Sequence, residues 1–300
     1  MITDKFRPIE SEDEVKFNQM IDKNPALYSD FYGSEICFDT LWQWRNAERM
    51  TICDLGDSLI IRGFDPELPE GERGRVSYIF PFAESEEAFL RAVRLLAEEE
   101  GKNLMLTCLS DRMKELLAPL YPDALFDRWR ELDEYLYRTS DLAAFPGKKY
   151  HAKRNFVRQF EKSYSYEIVS YDDSRRADVE ELLRVWSEEK AEILPDENGA
   201  IRAALDRRKN LCAELLYANG KIESFLIGGK CRDFGILMFF KCNTELKGIY
   251  PFMLSSVVKK DFSDCAYVSM QEDMGLEGLR KSKESYHPAF LQQKYIMRFE

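Results

Sequence analysis

The chain has 300 residues, about twice a typical domain length, and 45% of them are hydrophobic, enough for two packed cores. Its formal net charge of −11 makes it a poor general binder of nucleic acid or anionic membrane, because counterion release needs clustered cations. No apolar run approaches the roughly 20 residues that span a bilayer, and the charged opening lacks a secretory apolar stretch, so a cytoplasmic location is expected.

The seven cysteines are scattered, odd in number and never spaced CxxC, and only His151 and His287 represent histidine. That pattern fits small buried thiols in a reducing compartment and leaves no basis for a multi-histidine metal site.

In chain order, helices are expected at 12–22 and 39–47. Strands MTICDL and SLIIRGF flank a Gly56–Asp57 turn, and VSYIFPF follows as a central strand. Residues 85–100 repeat Phe89, Val93, Leu96 and Ala97 at helical spacing. NLMLTCL then reads as a buried strand, DRMKELLAPL as a helix and ELDEYLYR as another strand.

The basic stretch at 147–164 reads as a helix with Phe156, Phe160 and Tyr164 on its apolar face. Strand SYEIVSYD leads to helices at 176–192 and near 198–209. LCAELLYA and KIESFLIGG flank Asn219 and Gly220, a pair that tolerates the positive φ of a type I′ hairpin turn. FGILMFFK follows as a central strand, then a helix at 250–260, strand AYVSM, a helix at 277–285 and a last strand, QQKYIMRF. The second half therefore runs β-α-α-β-β-β-α-β-α-β, the element order of the GNAT fold, and the first half is a looser version of it. The expected class is α+β (mixed α/β), with two tandem GNAT domains at 1–140 and 141–300, each a mixed sheet flanked by helices.

Three segments carry candidate chemistry. In residues 147–164, Lys148, Lys149, Lys153, Arg154, Arg158 and Lys162 gather on one helix with Glu161 as the only acid. Lys149 and Lys153, like Arg154 and Arg158, are four apart, which places like charges together unless an anion lies between them; a solvated face is the alternative. In residues 239–260, Gly248 precedes a helix that starts near Tyr250 with Pro251 early in it, so free N–H groups and the helix dipole would face an approaching phosphate. A glycine that only makes the turn is the alternative there. In residues 269–288, Glu272 and Asp273 follow a buried strand, where paired acids would accept a proton from an attacking amine. Arg280 and Lys281 add cations and Tyr286 a proton donor; the alternative is a charge cluster favourable to the next helix, with Arg280 and Glu284 an i, i+4 pair.

These segments carry a resemblance. YLY at 135–137, then GKKYHAKRN, KGIYPFM and QEDMGLEGLRKSKESYHP resemble a bacterial family of uncharacterised proteins related to the C-terminal catalytic domain of phosphatidylglycerol lysyltransferases. The likeness runs over essentially the whole chain. Lys148, Lys149, His151, Lys153, Arg154 and Asn155 match its basic block; Glu272, Asp273, Gly275, Glu277, Gly278, Arg280, Lys281, Lys283, Ser285 and Tyr286 match its terminal block. The resemblance implies a tandem GNAT fold, shared more distantly with Fem-type aminoacyltransferases, in which an aminoacyl group moves from charged tRNA to a lipid or peptide acceptor.

The lysyltransferases carry a long transmembrane region ahead of this domain. No such run stands in these 300 residues, so a small-molecule or peptide acceptor is expected. The reading is an acyl- or aminoacyltransferase with Glu272 or Asp273 as base, Tyr286 as reserve acid, and donor phosphates held by the basic block, Gly248, Tyr250, Arg280 and Lys281. No tightly bound cofactor or metal is expected, and the donor is aminoacyl-tRNA or acyl-CoA. The alternatives are an acyl-CoA-dependent N-acyltransferase and a non-catalytic binder of a phosphorylated ligand or RNA.

Overall fold

The computed structural model describes residues 2–64, 75–189 and 197–300. The end of the helix expected at 176–192 lies outside the described residues. Two compact units emerge: Met1–Glu134 with Glu272–Glu277 and Leu291–Glu300, and Tyr135–Gln271 with Gly278–Phe290.

The first unit holds helices α1 (Asp13–Lys23), α2 (Pro25–Tyr28), α3 (Phe38–Trp44), α4 (Glu86–Glu100) and α5 (Asp111–Leu117). Its strands are β1 (Arg7–Pro8), β2 (Thr51–Asp54), β3 (Ser58–Gly63), β4 (Ser77–Ala83), β5 (Met105–Leu109), β6 (Leu125–Arg128) and, from the other end of the chain, β14 (Tyr295–Arg298). They form one sheet in the order β1-β2-β3-β4-β5-β14-β6. The helix expected at 85–100 forms because Ser85 caps it, its side chain accepting from Ala88 N at 3.1 Å, and because Ala88, Phe89, Ala92, Val93 and Leu96 bury one face.

The second sheet runs β13-β7-β12-β11-β10-β9-β8. Its strands are β7 (Glu134–Arg138), β8 (Tyr166–Ser170), β9 (Leu211–Ala218), β10 (Lys221–Cys231), β11 (Phe234–Cys242), β12 (Tyr267–Ser269) and β13 (Phe290–Gln292). Around it lie α6 (Thr139–Ala144), α7 (His151–Ser163), α8 (Arg176–Glu189), α9 (Glu197–Arg207), α10 (Ile249–Asp261) and α11 (Glu277–Glu284). The β9–β10 hairpin turns on Asn219 (φ 53°) and Gly220 (φ 81°), as its sequence requires.

Each sheet contains one parallel pair that is short. In the first, β4 and β5 pair only at Tyr78–Leu106 and Ile79–Thr107. In the second, β11 pairs with β12 only over Phe234–Ile236, so the strands part where β11 continues to Cys242. Two mixed α/β sheets, each flanked by helices, are a tandem GNAT-like arrangement.

The ends of the two halves are exchanged relative to the chain order expected. Strand β7, read as closing the first half, pairs antiparallel with β12 through Tyr267–Arg138, Val268–Tyr137 and Ser269–Leu136. Strand β14, read as closing the second, pairs with both β5 and β6. Tyr135, Leu136 and Tyr137 are buried, as are Tyr295, Ile296 and Met297. Apolar runs of this kind, covered on both faces, fit either central position, and periodicity cannot say which sheet receives them.

Candidate functional site

In the second unit the basic block and the end of the terminal block meet. The segment expected as one helix from 147 begins with a short 3₁₀ turn, Lys148–Tyr150, and then becomes α7. Its cations are put to different uses. Arg154 donates to the carbonyl of Gly147 at 2.6 Å and also to that of Phe145, tying α7 to the preceding turn. Lys149 pairs with Asp141 at 3.2 Å. Lys148, His151 and Asn155 are exposed, the last two in contact at 3.3 Å.

Lys153 turns towards the terminal block. Its Nζ donates to Ser285 Oγ at 2.7 Å and stands 3.5 Å above the centre of the Tyr286 ring. Loss of hydration lowers its pKa to about 8. Ser285 Oγ in turn donates to the Ser282 carbonyl at 2.6 Å, so the hydroxyl meets Lys153 as an acceptor.

Tyr286 is 2% exposed, and its ring lies among those of Phe145 (5.9 Å) and Tyr250 (6.0 Å). Tyr250 stacks on Phe240 at 4.2 Å. Burial raises the pKa of both phenols, so both are protonated donors at neutral pH. Two further tyrosines complete the wall: Tyr137 donates to the Lys283 carbonyl at 2.8 Å and Tyr150 to the Tyr286 carbonyl at 2.7 Å. Arg280 is half-buried and Lys281 exposed on α11.

Gly248 has a packing role. It caps α10 with φ 89°, and a Cβ there would stand 2.1 Å from the Phe156 carbonyl oxygen of α7. The close approach expected of a ligand is made by a neighbouring helix backbone.

Glu272 and Asp273 belong to the first unit. Asp273 is completely buried, accepting from Arg130 at 3.2 Å and from Gly275 N at 3.0 Å. Glu272 reaches to 4.0 Å from Lys294 Nζ. Lys294, on the approach to β14, is 4% exposed and is held by Glu35 at 2.6 Å and Glu134 at 2.7 Å. The Glu134 carboxylate also accepts from Ser34 N at 2.6 Å. Desolvation dominates at Glu35 and raises its pKa, while the surrounding carboxylates raise that of Lys294 despite its burial. Sequence reasoning missed this cluster. The available signal was a lysine set directly against the apolar run Tyr295–Ile296–Met297, a place that demands a buried partner. Among the described residues no group of three or more His, Cys, Asp or Glu is arranged to hold a metal ion.

Residues 28–298 match the family described as phosphatidylglycerol lysyltransferase, C-terminal. The chain belongs to that family. A conserved protein of unknown function from Bacteroides thetaiotaomicron VPI-5482 is 25% identical, covers 100% of both chains and superposes with a TM-score of 0.86. L-PGS from Bacillus licheniformis is 14% identical over 96% of this chain and 92% of its own, with a TM-score of 0.66. FemX shares the fold at 10% identity over 97% and 96%, TM-score 0.61. Among curated sequences, uncharacterized protein MYCGA3080 of Mycoplasmoides gallisepticum is 25% identical over 170 residues, so the match spans about half of either protein, 55% of each. The expected kinship with lysyltransferase C-terminal and Fem-type folds is thereby shown.

Proposed function

We propose that this family member transfers an activated acyl group, carried as an aminoacyl ester, to an amine or hydroxyl acceptor, with the chemistry centred on the second unit. One observation carries the reading. Lys153, from the cationic segment, contacts Ser285 and Tyr286, from the terminal segment, beside buried phenols. The exposed Lys148 of the 3₁₀ turn, with His151 and Asn155 at the start of α7 beside it, forms the face offered to the donor's phosphates. The kinship to phosphatidylglycerol lysyltransferases makes aminoacyl-tRNA the favoured donor and an acyl-CoA the rival.

The base expected at Glu272 or Asp273 is better assigned to Lys153. Both carboxylates belong to the first unit and face Lys294 and Arg130, whereas a lysine of pKa about 8 has a substantial neutral fraction near pH 7.5. The acceptor nitrogen or oxygen attacks the ester carbonyl carbon, and Lys153 takes the proton it releases. The C–O bond to the donor then breaks, and the Lys153 ammonium returns that proton to the leaving oxygen. Tyr286 stays protonated and acts as a hydrogen-bond donor.

Thermal-shift titration with charged tRNA, uncharged tRNA and acyl-CoAs tests the donor. A ligand at about 100 times its Kd stabilises by about 2.7 kcal/mol. Stabilisation by charged tRNA, followed by transfer of labelled amino acid to an added amine, is expected. Stabilisation by acyl-CoA with no response to charged tRNA would replace the aminoacyl ester by a thioester. Among the described residues no helix is long and apolar enough to cross a membrane.

A further inference from the structure

The four tyrosines of the second unit fall into two pairs. Tyr137 and Tyr150 spend their hydroxyls on the carbonyls of Lys283 and Tyr286. Tyr250 and Tyr286 differ. Among the described residues neither hydroxyl shows a hydrogen bond; the Tyr286 side chain is buried and that of Tyr250 half-buried. Neither hydroxyl oxygen is sealed from solvent, so each stays within reach of an entering molecule, and a phenol in such a place ordinarily finds an acceptor. The two rings are 6.0 Å apart and inclined at 46°, and the phenols are close enough to perturb each other electrostatically. Phe145 and Phe240 wall the rings in, and Lys153 Nζ sits 3.5 Å above one of them. Two donors and a cation surrounded by aromatic carbon suit an oxygen that carries negative charge and brings no proton of its own.

We propose that the hydroxyls of Tyr250 and Tyr286, with the nitrogen of Lys153 beside them, form a subsite for the acyl oxygen as it becomes an oxyanion. The assignment rests on the acyl-transfer reading above. When the acceptor attacks, a bond forms to the carbonyl carbon and the π electrons move onto this oxygen; the two phenols donate to it without giving up their protons. The proton taken by Lys153 creates its positive charge at the same moment. When the ester C–O bond breaks, the electrons return, the carbonyl re-forms and the proton leaves with the donor's alcohol. Each tyrosine is thus a catalytic residue that contacts the reacting atoms, and neither is consumed.

The test uses two probes on the whole protein and on Tyr250→Phe, Tyr286→Phe and the double variant. The first probe is the monomethyl ester of methylphosphonic acid, a tetrahedral centre with one negative charge and no nucleoside. The second is an adenosine carrying a 3′-amide-linked amino acid, a neutral planar carbonyl that cannot be transferred. Since neither hydroxyl bonds within the protein, the Phe variants should keep the parent's thermal midpoint. Titration calorimetry is expected to show phosphonate affinity lowered about 10- to 100-fold in the double variant, with amide affinity changed less than about threefold. Phosphonate binding that ignores both substitutions, or is absent from the parent protein, overturns the subsite. Phosphonate binding without amide binding leaves the subsite standing and removes the aminoacyl donor; the reverse removes the subsite and keeps the donor.

Discussion

Replacing Lys294 by Met keeps the length of the side chain and removes the charge on which two buried carboxylates depend. Glu35 and Glu134 lie 2.6 and 2.7 Å from its Nζ, with Glu272 at 4.0 Å. Removing one partner of a buried ion pair costs about 3–5 kcal/mol, because the survivor stays charged without compensation or must take up a proton. In a unit of roughly 150 residues that corresponds to a midpoint about 6–20 °C lower. The loss should depend on pH. In the parent, Glu35 is already raised above its ordinary value, so its contribution is fully present below that value and declines as pH rises through the folded pKa. Lys294 is raised too, and its contribution persists up to the lysine range before falling away. Without the ammonium, Glu35 titrates higher still, so Lys294→Met should lose less at pH 5 than at pH 8. Urea unfolding at both pH values measures this. Adding Glu35→Gln and Glu134→Gln should recover most of the loss, since a wholly neutral replacement leaves no stranded charge. A single variant within about 1 kcal/mol of the parent at both pH values, or a triple variant no better than the single, would refute the cluster as described.

Two further outcomes are expected. Gly248→Ala places a methyl group 2.1 Å from the Phe156 carbonyl and forces a side chain onto φ 89°; a loss of about 3 kcal/mol or more in urea unfolding is expected, and one under about 1 kcal/mol would show that α7 does not rest there. Lys153 should titrate with a midpoint of about 8 by carbon-detected NMR of labelled lysine, against the ordinary 10.5. Because its folded pKa lies below its unfolded one, the folded chain binds fewer protons between the two, and its share of stability rises with pH across that window. A midpoint near 10.5 would remove it as a proton carrier.

Much of the fold was legible because local signals were strong: Phe89, Val93, Leu96 and Ala97 at helical spacing, Asn219 and Gly220 between two strand-like runs, Pro251 early in a helix. The identity of the sheet was not. ELDEYLYR and QQKYIMRF are both short apolar runs, and choosing a sheet for each requires knowing which edges are already paired. The site divided in the same way. Residue type marked Lys153 and Tyr286 as candidates, and the fold sets one beside the other, whereas Glu272 and Asp273, only thirteen or so positions earlier, belong to a different unit. Spacing along the chain says nothing about a crossover between them. The glycine at 248 shows the same limit: a positive φ and a need for close approach look alike in the sequence whether a ligand or a helix arrives.

In the first unit a set of buried charges is matched, whereas in the second two phenol hydroxyls are not, and that contrast separates support from chemistry. In the first, Lys294 answers Glu35 and Glu134, Arg128 answers Asp133, and Arg130 answers Asp273. Charges matched at this depth fix the chain's geometry, and a ligand would have to displace an ion pair to use them. In the second, Tyr286 is buried and Tyr250 half-buried among aromatic rings, and neither hydroxyl shows a hydrogen bond within the described residues. Their oxygens are not sealed from solvent, so the hydroxyls stay available to something that arrives. If so, removing those two hydroxyls should leave the protein's stability unchanged, while the oxyanion probe loses its hold. A destabilised Tyr250→Phe, Tyr286→Phe double variant would mean that the hydroxyls already have partners, and the argument for a site at that position would fail with it.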